Sequence, residues 1–156
     1  IDLALVEGDI SSPYLLSSPF MVDELVVVAP PPCPLAQRAS LSVQELCSLT
    51  MYLREEGSGT RDLFLQTMEQ HHAAVRIAGS FNNTEALKKI VMAGLGATIL
   101  SRRLVTEDVA AGRLALLPVD RVAFKRIFKI VRHKDKFITP PLQAVIQACQ
   151  QHDQWF

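Results

Sequence analysis

With 156 residues, 49% of them hydrophobic, the chain is long enough for one domain or two small lobes with a real core, and too apolar for disorder. Sixteen basic and sixteen acidic residues cancel, which argues against a face devoted to nucleic acid. The three cysteines, Cys33, Cys47 and Cys149, are too widely spaced for a disulfide framework or a metal knuckle and fit a reducing, cytoplasmic setting, while the longest apolar run, residues 90–100, carries two glycines and is too short to cross a bilayer.

Residues 1–6 enter directly as a strand with no initiator Met and no signal sequence, which reads as a segment cut from a longer chain. Glu7-Gly8-Asp9 then breaks the strand with charge and a permissive glycine. Glu7 at that strand end either faces a ligand or is a solvated loop residue. Residues 25–29, Leu-Val-Val-Val-Ala, form a β-branched run of the kind found in a strand covered on both faces, as in a parallel sheet between helices. Four prolines among residues 30–34 exclude helix and inner strand, so this stretch is a stiff connector and a place for the chain to pass between lobes.

Ser42-Val43-Gln44-Glu45 is a capping-box pattern opening a short helix. Residues 50–53 read as a strand leading into Arg54-Glu55-Glu56-Gly57-Ser58-Gly59-Thr60-Arg61, where apolar strand gives way to helix through small residues. Such a loop is either a well-capped helix start, with Ser58 or Thr60 as N-cap and Asp62 in the first turn, or a cradle in which the first helical N–H groups, Arg54 and Arg61 hold an anion. Phe64, Thr67, Met68 and His71 follow at helical spacing, and His71-His72 lacks ligand-like spacing to another His or Cys, so it marks a helix end.

Residues 75–80 are a further strand, and Asn82-Asn83-Thr84-Glu85 makes a second strand-to-helix turn resembling a capping box. The helix carries Leu87, Ile90 and Val91 on one face, Lys88 and Lys89 as solvated charge outside, and stops at Gly94. Residues 97–100 are a buried strand, after which Ser101 caps a helix running through Leu104, Val105 and Val109 to Gly112. Three strand-then-helix junctions imply parallel strands with helical crossovers, whose helix starts gather at one sheet edge where small ligands bind. Residues 114–117 and 123–131 read as strands, the second interrupted by Lys125 and Arg126. Thr139-Pro140-Pro141 opens a last helix with an apolar stripe of Leu142, Val145, Ile146 and Cys149. Trp155 and Phe156 are expected to pack on the domain.

Several chemistries are absent. Gly57-Ser58-Gly59-Thr60-Arg61 lacks the lysine of a phosphate-binding P-loop, and Glu56 stands where a nucleophile elbow needs glycine before Ser58. Gly94-Leu95-Gly96 precedes a strand instead of opening a helix, so it is structural and no dinucleotide fingerprint. No pair of acids, nucleophile with its base, metal spacing or cofactor motif emerges. The sequence offers places to bind and nothing that evidently transforms, so no enzyme and no cofactor are expected.

Asp2-Leu3-Ala4-Leu5-Val6-Glu7-Gly8, Asp23-Glu24-Leu25-Val26-Val27-Val28-Ala29, Pro34-Leu35-Ala36, the stretch from Arg54 to Arg61, and Ala93-Gly94-Leu95-Gly96-Ala97-Thr98-Ile99-Leu100-Ser101 resemble, in order, the effector-binding domain of LysR-type transcriptional regulators. The resemblance covers nearly the whole chain. It implies an α/β, two-lobed type II periplasmic-binding-protein-like fold with an inducer in the interlobe cleft. Residues 1–29 and 128–156 would form lobe I, with part of that lobe missing, and residues 30–127 lobe II. Its implied effector contacts are Glu7, Arg54, Ser58, Gly59, Thr60, Asn82, Asn83 and Thr84. Arg54 either meets an anionic effector or pairs with Glu55 or another acid. The implied role is that of a small-molecule sensor in a bacterial regulator, a homodimer or homotetramer that meets DNA only through an N-terminal helix-turn-helix absent here, with no membrane contact. The competing reading is an exported periplasmic solute-binding receptor of the same fold. In either case the edge and apolar surface of lobe I would be covered by a partner chain or by an N-terminal piece.

Overall fold

The computed structural model describes residues 1–8 and 10–151, so Asp9 and the expected packing of Trp155 and Phe156 lie outside the described residues. The chain divides into two compact units, residues 1–23 with 125–156 and residues 24–124. The divisions fall within two long strands, β2 (Leu15–Ala29) and β7 (Phe124–His133).

In the first unit β7 lies between β1 (Ala4–Glu7) and the opening half of β2. β1 and β7 run antiparallel, with Ala4 opposite Val131 and Glu7 opposite Phe128. The second strand expected from sequence is therefore not interrupted at Lys125 and Arg126. Arg126 stays in the ladder because its guanidinium has partners there: Asp23 at 2.8 Å, Glu7, and the Phe128 ring at 5.0 Å. Helix α5 (Pro140–Gln150) starts where expected, with the Thr139 hydroxyl accepting from the Leu142 N–H at 3.4 Å. Its stripe is shallow: Leu142, Ile146 and Cys149 are half-buried and Val145 is exposed. Leu5, Val22, Ile127 and Phe137 are exposed as well, and β1 has a strand on one side only among the described residues.

In the second unit the end of β2, residues 25–29, is buried on both faces by period-two alternation. Leu25, Val27 and Ala29 pack with Leu46, Phe64, Met68 and Phe124. Val26 and Val28 pack with Leu87, Val91, Val105 and Leu114. Coverage on both faces was legible in the β-branched run. The parallel pairing expected from it was wrong for this strand, because β5 (Thr98–Ser101) and β6 (Ala115–Leu117) both flank it antiparallel. A both-face core demands an apolar run whatever the strand direction.

Parallel pairing occurs elsewhere. β3 (Thr50–Arg54) and β4 (Arg76–Phe81) run parallel, with Arg54 opposite Phe81. Met51 bridges Ala97 in the parallel sense on the other side of β3. That approach explains Gly96: a Cβ there would sit 2.4 Å from the Thr50 carbonyl oxygen. Helices α2 (Gly59–Gln70), α3 (Thr84–Met92) and α4 (Arg102–Ala110) follow β3, β4 and β5. Helix α1 (Val43–Ser48) opens on the expected capping box, Ser42 and Glu45 each accepting from the other's backbone.

Lys88 corrects the expectation of solvated charge. Its ammonium reaches Asp108 at 2.8 Å and Glu85 at 3.1 Å, and Asp108, 8% exposed, also accepts from Arg113 at 2.6 Å. Lys88, and then Arg113, hold the Asp108 carboxyl below its usual range, while Asp108 in turn raises the Lys88 ammonium.

Candidate functional site

The β3–α2 junction is built from its backbone. Ser58 N–H donates to the Glu55 carbonyl at 3.2 Å, closing a turn in which Gly57 adopts φ +83°, open to glycine at little cost. Ser58 is the N-cap residue, but its hydroxyl makes no cap hydrogen bond, and the helical ladder begins with Asp62 N–H on the Ser58 carbonyl at 2.9 Å. This twelve-residue helix therefore has an acid in its first turn, Asp62, and no cap bond from the side chain of Ser58. Thr60 is buried at 8% exposure.

The β4–α3 junction is completed differently. Asn83, not Asn82, is the cap: its Oδ1 accepts from Glu85 N–H at 2.8 Å and Ala86 N–H at 3.1 Å. The expected box on Asn82 fails because the helix starts one residue later, which places Glu85 at the second helical position instead of the third. Asn82 is left exposed. At the third junction Ser101 is the N-cap of α4, again without a side-chain cap bond.

Parallel register brings the first two junctions side by side. Glu55 N–H donates to the Phe81 carbonyl at 3.1 Å, and Arg54 Nη1 lies 3.5 Å from Thr84 Oγ1. Arg61 Nη1 donates to Ser80 Oγ at 2.6 Å and to the Arg54 carbonyl at 3.2 Å. Of the alternatives for Arg54, the internal ion pair is formed: Nε and Nη2 meet the two Glu55 oxygens at 2.8 and 2.9 Å, holding that carboxyl below its usual range. Both loop arginines are thus structural ties.

The structure brings together Arg54, Ser58, Gly59, Thr60, Asn82, Asn83 and Thr84 in the second unit. Glu7 belongs to the first unit, where it pairs with Arg126. Arg126 and Ser80 escaped the sequence reading, because their partners stand 103 and 19 residues away and no local spacing marks them. Among the described residues no group of three or more His, Cys, Asp or Glu side chains could hold a metal, and no helix is long and apolar enough to cross a membrane.

The family profile described as the LysR substrate binding domain matches residues 1–154. The uncharacterized HTH-type transcriptional regulator YeiE of Escherichia coli strain K12 is 33% identical over 149 residues, 96% of this chain and 50% of that protein. The RuBisCO operon transcriptional regulator of Allochromatium vinosum is 30% identical, over 92% of this chain and 48% of that one. The chain spans about half the length of the curated relatives it matches. Among solved structures, the Synechocystis PCC6803 CcmR regulatory domain in complex with 2-PG superposes with a TM-score of 0.88 at 25% identity, covering 98% of this chain and 74% of that one. The effector binding domain of QuiR in complex with shikimate shares the fold, with a TM-score of 0.82 at 20% identity over 97% of this chain and 71% of its own. The fold is the mixed α/β, periplasmic-binding-protein-like one that the resemblance implied.

Proposed function

Because the chain belongs to the LysR substrate binding domain family, we propose that it is the sensing part of a cytoplasmic bacterial transcription regulator and that it binds a small anionic effector. The relatives are transcription regulators, which favours this reading over an exported solute receptor and over an enzyme. The two compact units are proposed to be the two lobes. DNA contact and assembly into a homodimer or homotetramer are proposed to belong to the whole regulator, whose remaining segments or partner would cover the exposed apolar face of the first unit.

One observation carries the effector site: α2 starts on Ser58, whose side chain makes no cap hydrogen bond, beside the start of α3, where Asn83 caps two N–H groups, both at one end of a parallel strand pair. The helix dipole and the first-turn N–H groups favour an anionic group there. The proposed contacts are Ser58, Gly59, Thr60, Asn82, Asn83 and Thr84, with Arg54 orienting the loop through Glu55. Glu7, in the first unit, is engaged by Arg126. A bound effector shifts the regulator only by its differential affinity for two arrangements of it. The test is a thermal-shift screen of small carboxylates and phosphate esters, shikimate among them, on the intact chain. A saturable rise in Tm that disappears in Ser58→Ala/Asn82→Ala supports the reading. No rise with any compound, or a rise untouched by the double variant, refutes it.

A further inference from the structure

We propose that the first unit carries an oxyanion site of its own, for a phosphate, a sulfate or the phosphoryl group of a small ester, in a cavity of about 260 Å³ centred on Arg132. Three elements enclose it, and their periodicities decide which side chains reach it. On β7 the two-residue period sets Arg132 on the same face as Ile130, the face turned towards α5 in this cavity. On α5 Gln143, Ile146 and Gln150 recur at i, i+3 and i+7, so one stripe of the helix lies along it. Ser17 and Ser18 complete the lining from the opening half of β2.

Charge selects the occupant. Arg38, Arg54, Arg102, Arg113 and Arg126 each meet a carboxylate. Arg132 does not: it is half-buried, and its only hydrogen bond among the described residues runs from Nη1 to the His133 carbonyl at a long 3.5 Å. No aspartate or glutamate stands among the described residues that line the cavity. A guanidinium that has given up part of its water without gaining a counter-charge is an open anion position, because an oxyanion restores the charge balance and accepts from the fork of N–H groups. Four neutral side chains add to it. The Ser17 and Ser18 hydroxyls and the Gln143 and Gln150 amides are exposed and bond to no other described residue, so they can donate without breaking an internal bond. A phosphoryl group, with about −1.5 to −2 charges near pH 7 and several acceptor oxygens, can meet donors from β2, β7 and α5 together. Every residue named lies in the first unit and none belongs to the β3–α2 or β4–α3 junction, so the site stands independently of the effector proposal.

A proton–nitrogen NMR titration of the intact chain with sodium phosphate, at constant ionic strength set with sodium chloride, tests this. The expected result is a saturable shift of the Arg132 Nε–H and of the Gln143 and Gln150 side-chain amides, half complete below about 10 mM phosphate. Glycerol 3-phosphate separates the two sources: binding at least as tight as that of phosphate supports a site for a phosphoryl ester, and weaker binding supports one for the free anion. Arg132→Gln is expected to weaken phosphate binding by about tenfold or more, and Gln143→Ala/Gln150→Ala by about threefold. If Arg132→Gln does not fold, the glutamine double variant, at two exposed positions, decides. No saturable shift at these groups, shifts confined to the amides of residues 59–61, or binding undiminished in the variants overturns the proposal.

Discussion

Arg61 donates from Nη1 to the Ser80 hydroxyl at 2.6 Å, tying the first turn of α2 to β4 across 19 residues of sequence. The same Nη1 holds the Arg54 carbonyl at 3.2 Å, so one guanidinium locks the loop that carries Ser58, Gly59 and Thr60. Because Arg61 is only 13% exposed, these are charge-assisted bonds in a partly dry setting. Arg61→Met is expected to lower the unfolding free energy by about 1–2 kcal/mol, and Ser80→Ala by about 1. In a urea double-mutant cycle the two should couple by about 0.5 kcal/mol or more. Additive losses would show that the bond contributes nothing.

The Asp108 cluster fixes how stability responds to acid. Asp108 is held below the usual carboxylate range in the folded chain by Lys88 and Arg113, so its stabilising effect is present above its unfolded value. That effect is lost as pH falls through the lower, folded value, below about pH 4. Lys88 is raised, so its share persists below its unfolded value and fades only as pH rises through the folded one, on the alkaline side. Asp108→Asn is expected to cost about 2–3 kcal/mol near neutrality, because it leaves a mostly buried Lys88 without its main counter-charge. It should also flatten the acid limb of the stability curve. Chemical denaturation from pH 3 to 8 checks both, and an unaltered acid limb would place the acid sensitivity elsewhere.

Thr98 is fully buried opposite Val28, and its hydroxyl has no hydrogen-bond partner among the described residues. Thr98→Val keeps the shape and removes the unsatisfied oxygen, so a gain of about 1 kcal/mol is expected by thermal or urea unfolding. A loss instead would show that the hydroxyl is satisfied in solution.

Gly96→Ala should act in the opposite direction. The added methyl would stand 2.4 Å from the Thr50 carbonyl oxygen, a contact that only backbone movement between β3 and β5 can relieve. A cost of about 2–3 kcal/mol is expected from urea denaturation. An effect near zero would contradict the close strand approach.

What was legible in the sequence was local or periodic. The run of residues 25–29, the box on Ser42 and Glu45, the proline-led start of α5 and the helix end at His71 each follow from spacing within a few residues. Strand direction was not legible, because an apolar run looks the same beside a parallel or an antiparallel neighbour, and β2 was misread for that reason. Lys88 looked solvated because its counter-charge, Asp108, lies on another helix. At the site, the junctions themselves were readable, since small and capping residues after a strand have few other uses. The identity of the cap at Asn83, and the commitment of Arg54 to Glu55, required three-dimensional register.

The central claim is that an anion sits on the start of α2 beside α3. Amide hydrogen exchange of the intact chain, with and without the carboxylate or phosphate ester giving the largest thermal shift, reads this residue by residue. The expected result is ligand-dependent protection centred on the N–H groups of Gly59, Thr60 and Arg61, extending to Thr84. Protection confined to other segments, with these amides unchanged under saturating ligand, would contradict the account.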